Sequence, residues 1–205
     1  MSLAPMPPVW PPRQSIGTIG HAAFPWTLFD DTAAYHPALI AACLARTAAT
    51  GVGLPGSGGA KAYDLERWNV PAATLLTERA CAFVRKGYSR DTRLVGSWAN
   101  VTASGEYGQP HSHTRSTVSV VYFLDLGTNE PTNPHNGRFA FVDPRLTLCC
   151  HEEAGRLSQA VMPQHVDGLM FGFPSQIVHF VHVYRGERPR ISIAWNFALA
   201  TAAGL

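Results

Sequence analysis

The sequence predicts an α+β domain, mainly β, in which amino-terminal helices back one sheet of a β-sandwich or jelly roll. Two observations predict it. Two Ala/Leu-rich segments with helical start and stop signals lie before residue 90. From Arg93 onward the chain is built of short β-branched and aromatic runs separated by Gly, Pro and Asn. Its 205 residues suit one such domain, and with 46% hydrophobic and 15% charged residues, the latter below the roughly 25% of ordinary soluble chains, core material is ample and disorder is not expected.

In chain order, Pro5, Pro7, Pro8, Pro11 and Pro12 favour extended geometry, so residues 1–15 are expected to form a Pro-rich arm on a single domain spanning 16–205. PALIAACLARTAAT, from Pro37 to Thr50, reads as a helix with proline in its first turn and Gly51 as its stop. The next ten residues, GVGLPGSGGA, hold five glycines and read as a loop and a candidate lid. A second helix fits Pro71 to Lys86, with Leu75, Leu76, Ala80 and Phe83 near i, i+4 spacing and Gly87 past its end. Helical support thus covers about residues 32–90 and a β core about 93–199. The strands are expected in LVGSWANV, STVSVVYFLDL, GRFAFVD, LMFGF, IVHFVHVY and RISIAWNFAL, with a turn-rich connection at 127–137 and a tight turn at Gly186 to Pro189.

The formal net charge is +2 with no run of like charge, which argues against a nucleic-acid partner. No apolar stretch approaches about 18 residues and no leader pattern is visible, so no membrane span or secretory signal is expected and the cytoplasm is the expected location. Cys43, Cys81, Cys149 and Cys150 lack CxxC spacing and read as reduced thiols without a catalytic role.

Nine histidines are unusual for this length. In GQPHSHTRS, His111 and His113 are two residues apart, and in strand geometry both imidazoles leave one face, which suits a first-row divalent metal. Further on, GLMFGFPSQIVH and GERPRISIAWN bring a histidine and Arg190 into adjoining apolar strands. A buried guanidinium is costly unless a carboxylate meets it, and its planar fork matches a bidentate acid. Ser192 shares the face of Arg190, whereas Ile191 and Ile193 point the other way; an internal acid such as Asp143 or Asp167 is the alternative partner. Of His179 and His182, an odd spacing lets only one face the site, and His179, directly after the FPS turn, is chosen. His21, His36, His135, His151 and His165 are expected at surface or turn positions, and Trp98 and Trp195 in the core.

HxH, SVVYFLDL, FAFVDPR, GLMFGFPSQIVH and GERPRISIAWN, in this order, resemble the non-haem Fe(II)/2-oxoglutarate-dependent oxygenases of the double-stranded β-helix (jelly-roll, cupin-like) fold. The resemblance covers about residues 98–197 and is nearest to the 2OG-Fe(II) oxygenase group with an HxH…H motif, where prolyl hydroxylases carry H-x-D. It implies that His111 and His179 are metal ligands and that Arg190 with Ser192 clamps the distal carboxylate of 2-oxoglutarate. At position 113, either His113 is the third iron ligand, the favoured reading, or it lines the site and another group or water completes the shell. A halogenase variant is disfavoured because residue 113 can itself coordinate.

The implied enzyme is a dioxygenase, an oxidoreductase that hydroxylates a C–H bond while 2-oxoglutarate and O2 give succinate and CO2. Its catalytic and metal residues are His111, His113 and His179, and Arg190, Ser192, Asn100 and Tyr122 are the candidates for holding cosubstrate. Tyr107 and Arg145 are further candidates for the pocket mouth. The partners are O2 and a small-molecule or peptide substrate, with no nucleic acid and no membrane; a homodimer stays open. Two rivals remain: a cupin-like three-histidine dioxygenase that needs no 2-oxoglutarate, and a non-enzymatic jelly-roll metal-binding module.

Overall fold

The computed structural model describes residues 6–19, 24–50, 53–88, 91–128, 130, 132–142, 150–151, 156–157 and 162–200. Its strands, in chain order, are β1 (Gly17–Ile19), β2 (Phe24–Leu28), β3 (Ala60–Tyr63), β4 (Thr92–Thr102), β5 (Gly108–His111), β6 (Val118–Asp125), β7 (Phe139–Phe141), β8 (Cys150–His151), β9 (Arg156–Leu157), β10 (Leu169–Pro174), β11 (His179–Val181) and β12 (Arg190–Leu199). The two α-helices are α1 (His36–Thr50) and α2 (Pro71–Tyr88). A seven-stranded antiparallel sheet, ordered β1-β2-β10-β6-β12-β4-β3, lies beside a three-stranded sheet, β5-β11-β7. The fold is mainly β, a jelly roll with two helices backing one sheet. Among the described residues no helix is long and apolar enough to cross a membrane.

Both helices use the stripe the sequence gives them. Leu39, Cys43 and Thr47 of α1 are buried at i, i+4 and i+8, and α2 buries Leu75, Leu76, Ala80, Phe83 and Val84. Against them β12 sets Ile191, Ile193, Trp195 and Phe197, and β6 sets Val118, Val120, Tyr122 and Leu124. The indole N–H of Trp195 donates to Thr77 Oγ1 at 3.2 Å. The opposite faces of the same strands build a second apolar cluster with Phe139, Phe141, Phe171 and Phe173 between the two sheets. Because β6 is covered on both faces, it lacks the polar alternation of a half-solvated strand.

The structure departs from the sequence reading in four places. The helix α2 runs through Gly87 to Tyr88, since a glycine there lets the helix lie against Pro25, about 3.1 Å from where a Cβ would sit. β1 and β2 extend the large sheet at one end within residues 16–31, where no element was expected, and β3 extends it at the other end where the chain was read as loop and helical support. IVHFVHVY is a strand only at His179–Val181, because Tyr184 N–H turns to Glu106 O at 2.9 Å instead of continuing the ladder. The Gly186 to Pro189 turn therefore lies between an irregular segment and β12, not between two strands. Of the four cysteines, Cys43 and Cys81 are free thiols, while Cys149 lies outside the described residues.

The arm is fastened at its middle by a buried cation and at its end by Gln14, whose amide donates to Thr27 Oγ1 and Leu28 O. Arg79, fully buried on α2, donates from Nη1 to Asp31 Oδ1 at 2.8 Å and from Nη2 to Asp31 Oδ2, and also bonds Val9 O at 3.1 Å and Pro8 O at 2.9 Å. Removing the cation would strand a partly buried carboxylate and two carbonyls. Arg79→Met is expected to lower the unfolding free energy by about 2–3 kcal/mol in urea titrations; an unchanged midpoint would show that the arm is not fastened by this pair.

Candidate metal centre

Three imidazoles meet at one end of the gap between the sheets. His111 ends β5, His113 follows two residues later in the connection to β6, and His179 opens β11 directly opposite His111 in the ladder. The strand itself therefore stops before His113, whose position is fixed instead by its backbone N–H on Ser175 O at 2.8 Å. One ligand-capable atom from each of the three lies within 4.8 Å of the others, and among the described residues this is the only such group of His, Cys, Asp or Glu. Ring centroids are 5.2 Å apart for His111–His113, 4.3 Å for His111–His179 and 5.2 Å for His113–His179.

Two of the rings have their tautomer set by backbone. His111 Nδ1 lies 2.7 Å from Gln109 O and His179 Nδ1 lies 3.0 Å from Ile177 O. A carbonyl only accepts, so each Nδ1 carries the proton and each Nε2 keeps its lone pair for a metal. Burial pushes His179 down to about 3 from its ordinary 6.5, and burial with the neighbouring His111 pushes His113 down to about 4. Neutral rings are the form that coordinates. Phe139 stacks on His179 with ring centroids 5.2 Å apart, Phe173 meets its edge, and Trp98 packs against His113.

The three histidines share a cavity of about 360 Å³ with Arg190 and Ser192. Strand parity puts Arg190, Ser192, Ala194 and Asn196 on the inner face of β12 and its apolar residues on the helix side. Arg190 is 1% exposed; its Nη1 donates to Ser192 Oγ at 3.2 Å, while Nε and Nη2 are buried without a partner. Burial pushes its guanidinium down to about 10, with Tyr184 and Asp167 opposing. Among the described residues no ion pair involves Arg190; Asp167 instead accepts Leu126 N–H at 2.9 Å, and Asp143 lies outside the described residues.

Asn100 also lines the cavity, as the cross-strand partner of Ser192. Tyr122 does not, and its candidacy is corrected. Adjacent residues on β6 face opposite ways, and with Val121 in the inter-sheet cluster the Tyr122 side chain lies on the helix side, its hydroxyl 2.7 Å from Tyr35 Oη and 2.6 Å from His36 Nε2. His36 is thus engaged under α1 and not merely a turn residue. Trp98 is a cavity wall, while Trp195 is core. Tyr107 is 36% exposed and does not line the cavity, and His182 packs on Phe180 and His135 away from the triad. Arg145 and His21 lie outside the described residues.

Sequence reasoning missed Lys61, Ser119, Gln109 and Asn196, all of which line the cavity. Ser119 and Asn196 bond each other at 2.8 Å, and Ser119 also meets Ser175 Oγ at 2.9 Å. The loop read as a candidate lid supplies Gly56, Ser57 and Gly58 to the cavity wall and is tied down by a bridge from Ser57 to Gly108.

A family profile described as "Putative 2OG-Fe(II) oxygenase" matches residues 96–196, from the middle of β4 to β12. Residues 96–196 belong to the 2OG-Fe(II) oxygenases. The oxygenase is an oxidoreductase, and its cofactors are Fe(II) and 2-oxoglutarate. No curated protein matches the sequence. Among solved structures, it is similar to AviO1 from Streptomyces viridochromogenes Tue57, with 16% identity over 87% of this chain and 91% of that one and a TM-score of 0.61. It is also similar to a Pseudomonas putida prolyl-4-hydroxylase, with 18% identity, coverage of 87% and 94% and a TM-score of 0.59. The viral collagen prolyl hydroxylase of Paramecium Bursaria Chlorella virus-1, solved as a 2OG complex, matches at 10% identity, with coverage of 89% and 100% and a TM-score of 0.61. At these identities the likeness shows the shared jelly-roll fold.

The site's protonation sets a pH response for the metal-free protein. His36, His113 and His165 are each held at about 4 and His179 at about 3, all mainly by burial and against an ordinary 6.5. Depressed histidines favour the folded state above about pH 6.5; below it the unfolded chain takes up protons that the folded chain refuses. The urea midpoint of metal-free protein is therefore expected to fall as the pH is lowered from about 7 to about 5, and a midpoint that holds or rises would contradict the buried neutral rings.

Proposed function

We propose that the oxygenase hydroxylates a C–H bond of an organic substrate, with iron held by His111, His113 and His179 and 2-oxoglutarate held at its far end by Arg190 and Ser192. The observation that carries this reading is the buried guanidinium of Arg190, with two polar atoms lacking a partner, in the same cavity as three converging imidazoles. A wholly buried arginine without an acid is costly, and a carboxylate is the group whose two oxygens match its fork. The donor set suits the metal as well: two imidazoles have their Nδ1 protons committed to backbone carbonyls, and three imidazoles with ligand atoms within 4.8 Å of one another are fit for a first-row divalent ion.

When bound, Fe(II) and 2-oxoglutarate supply the activation of O2, the cosubstrate leaving as succinate and CO2. The protein's part is to position and shield. His111 and His179 sit across one ladder rung, so their spacing is set by backbone pairing, and the bond from His113 N–H to Ser175 O brings the third ring to them. Arg190 and Ser192 fix one end of the cosubstrate, with Asn100 across the ladder as a further polar contact. Phe139, Phe173, Trp98 and Val181 exclude water from the remaining walls.

Three substitutions test the roles. His179→Ala should abolish iron retention after anaerobic reconstitution, and retention of a full equivalent would remove His179 from the ligand set. Arg190→Met removes a bidentate charge-assisted contact and should raise the 2-oxoglutarate dissociation constant about 100-fold in anaerobic calorimetry; an unchanged constant would contradict the clamp. His113→Asp should keep the metal if position 113 coordinates, since aspartate is the ligand other facial triads place there. The reaction class itself is tested by succinate: stoichiometric succinate from 2-oxoglutarate during substrate turnover is expected, and turnover without succinate would refute it.

A further inference from the structure

We propose that Asn196 orients the substrate of this oxygenase by donating from its amide nitrogen to an uncharged substrate oxygen, an alcohol or an amide carbonyl, and that the substrate reaches the metal along a lane between His113, Asn196 and Gly96; the proposal rests on the metal and cosubstrate reading above. Asn196 ends a hydrogen-bond chain of fixed direction. Its Oδ1 only accepts, so the single proton of the Ser119 hydroxyl goes to it at 2.8 Å, and the Ser175 hydroxyl then donates to Ser119 at 2.9 Å. Both serines are buried. The chain commits the oxygen of the Asn196 amide and leaves its nitrogen as the free end; among the described residues nothing accepts from Nδ2. Ser175 also takes the backbone N–H of His113 on its carbonyl at 2.8 Å, so one residue sets both the third imidazole and the donor chain.

The place of Asn196 separates it from the cosubstrate. It lies six residues beyond Arg190 on the inner face of β12, about 20 Å along the strand at roughly 3.3 Å per residue, which far exceeds the span of a five-carbon diacid. His113 packs on Trp98, the ladder partner of Ala194, so the metal centre stands between the clamp and Asn196. Past it lies a second hollow of about 440 Å³ whose walls include Val95, Gly96, Thr114 and Arg115, and His113 and Asn196 line both cavities. Gly96 is the ladder partner of Asn196, and a Cβ there would meet nothing within 4 Å, so the space beside the Asn196 amide is open. The cations of the metal cavity stand elsewhere. Arg190 is at the far end of β12, and Lys61 is bonded to Asn100 and Ser57 in the row of Ser192, four residues from Asn196. Arg115 is exposed at the outer hollow, where water screens it. An anion held at Asn196 would be desolvated without a countercharge, whereas a neutral oxygen is satisfied by one N–H donor.

Ligand-observed NMR on the iron-loaded, anaerobic protein saturated with 2-oxoglutarate reads binding without turnover, since the paramagnetic metal shifts and broadens the resonances of a probe beside it. N-acetylalanine methylamide and N-acetylleucine methylamide probe a peptide source, and cyclohexanol and methyl glucoside an alcohol source. N-acetylalanine and N-acetylleucine, as carboxylates, are the anionic counterparts. Each is titrated into wild type, Asn196→Leu and Gly96→Leu. The expected result is that at least one neutral series binds wild type with metal-induced broadening and binds Asn196→Leu about fivefold more weakly, as one neutral hydrogen bond implies. Gly96→Leu should abolish that binding by filling the lane, and 2-oxoglutarate affinity should stay within about threefold in all three proteins. Which series binds tells an amide carbonyl from an alcohol. The proposal is overturned if no neutral probe binds wild type, if the carboxylates bind more tightly than the methylamides, if Asn196→Leu binds the neutral probes as wild type does, or if Gly96→Leu leaves them unaffected. Loss of 2-oxoglutarate by either variant would place the lane in the cosubstrate site and overturn it equally. Failure of wild type to bind iron or 2-oxoglutarate overturns the reading beneath, and this proposal falls with it.

Discussion

The structure is organised around a charge that the protein buries and that no described residue neutralises. Arg190 lies between two sheets, bonded once, to a serine hydroxyl, with the face of Phe123 5.3 Å from its guanidinium carbon. Left alone, such a group costs several kcal/mol of desolvation. The comparison with Arg79 is instructive, because that arginine is equally buried yet takes a bidentate carboxylate from Asp31 and two carbonyls from the arm. One arginine is satisfied from within the chain and closes the fold; the other keeps its fork toward a cavity. Strand parity makes the difference, since β12 turns Ile191, Ile193 and Trp195 to the helices and Arg190 and Ser192 to the gap between sheets.

The same gap gathers the imidazoles, and the smaller sheet is what gathers them. β11 is its central strand, so His179 is flanked in register by His111 on one side and Phe141 on the other. The ladder thereby fixes two rings with main-chain precision, and the carbonyls of Gln109 and Ile177 fix which nitrogen each presents. Burial among Phe139, Phe173 and Trp98 keeps His179 and His113 neutral, which serves metal binding and weakens the fold in acid. The large sheet, backed by α1 and α2, supplies the arginine wall; the small sheet supplies the nitrogen wall.

Much of this was legible in the sequence because it is written in local periodicity. Both helices, the long strands β4, β6, β10 and β12, and the shared face of Arg190 and Ser192 follow from spacings of two or of three to four residues, whereas the meeting of His111 and His113 with the distant His179 was expected from the resemblance to the oxygenases and not from spacing. What could not be read depends on which face of an all-apolar strand looks inward. Tyr122 was misplaced because β6 is buried on both sides and offers no polar alternation to set its phase, whereas Ser119, a polar residue of the opposite parity, carried that signal. Lys61 was missed because β3 emerges from a glycine-rich loop with no strand pattern of its own and is a strand only through its pairing with β4. Trp98 likewise reads as core by composition and becomes a cavity wall only through its contact with His113.

A crystal structure of the protein soaked anaerobically with Fe(II) and 2-oxoglutarate tests the central claim most directly. The account predicts a single metal ion held by nitrogen atoms of His111, His113 and His179, with the distal carboxylate of the cosubstrate on the Arg190 fork and the Ser192 hydroxyl. An ion bound elsewhere, or a cosubstrate whose distal carboxylate lies away from Arg190, would contradict it.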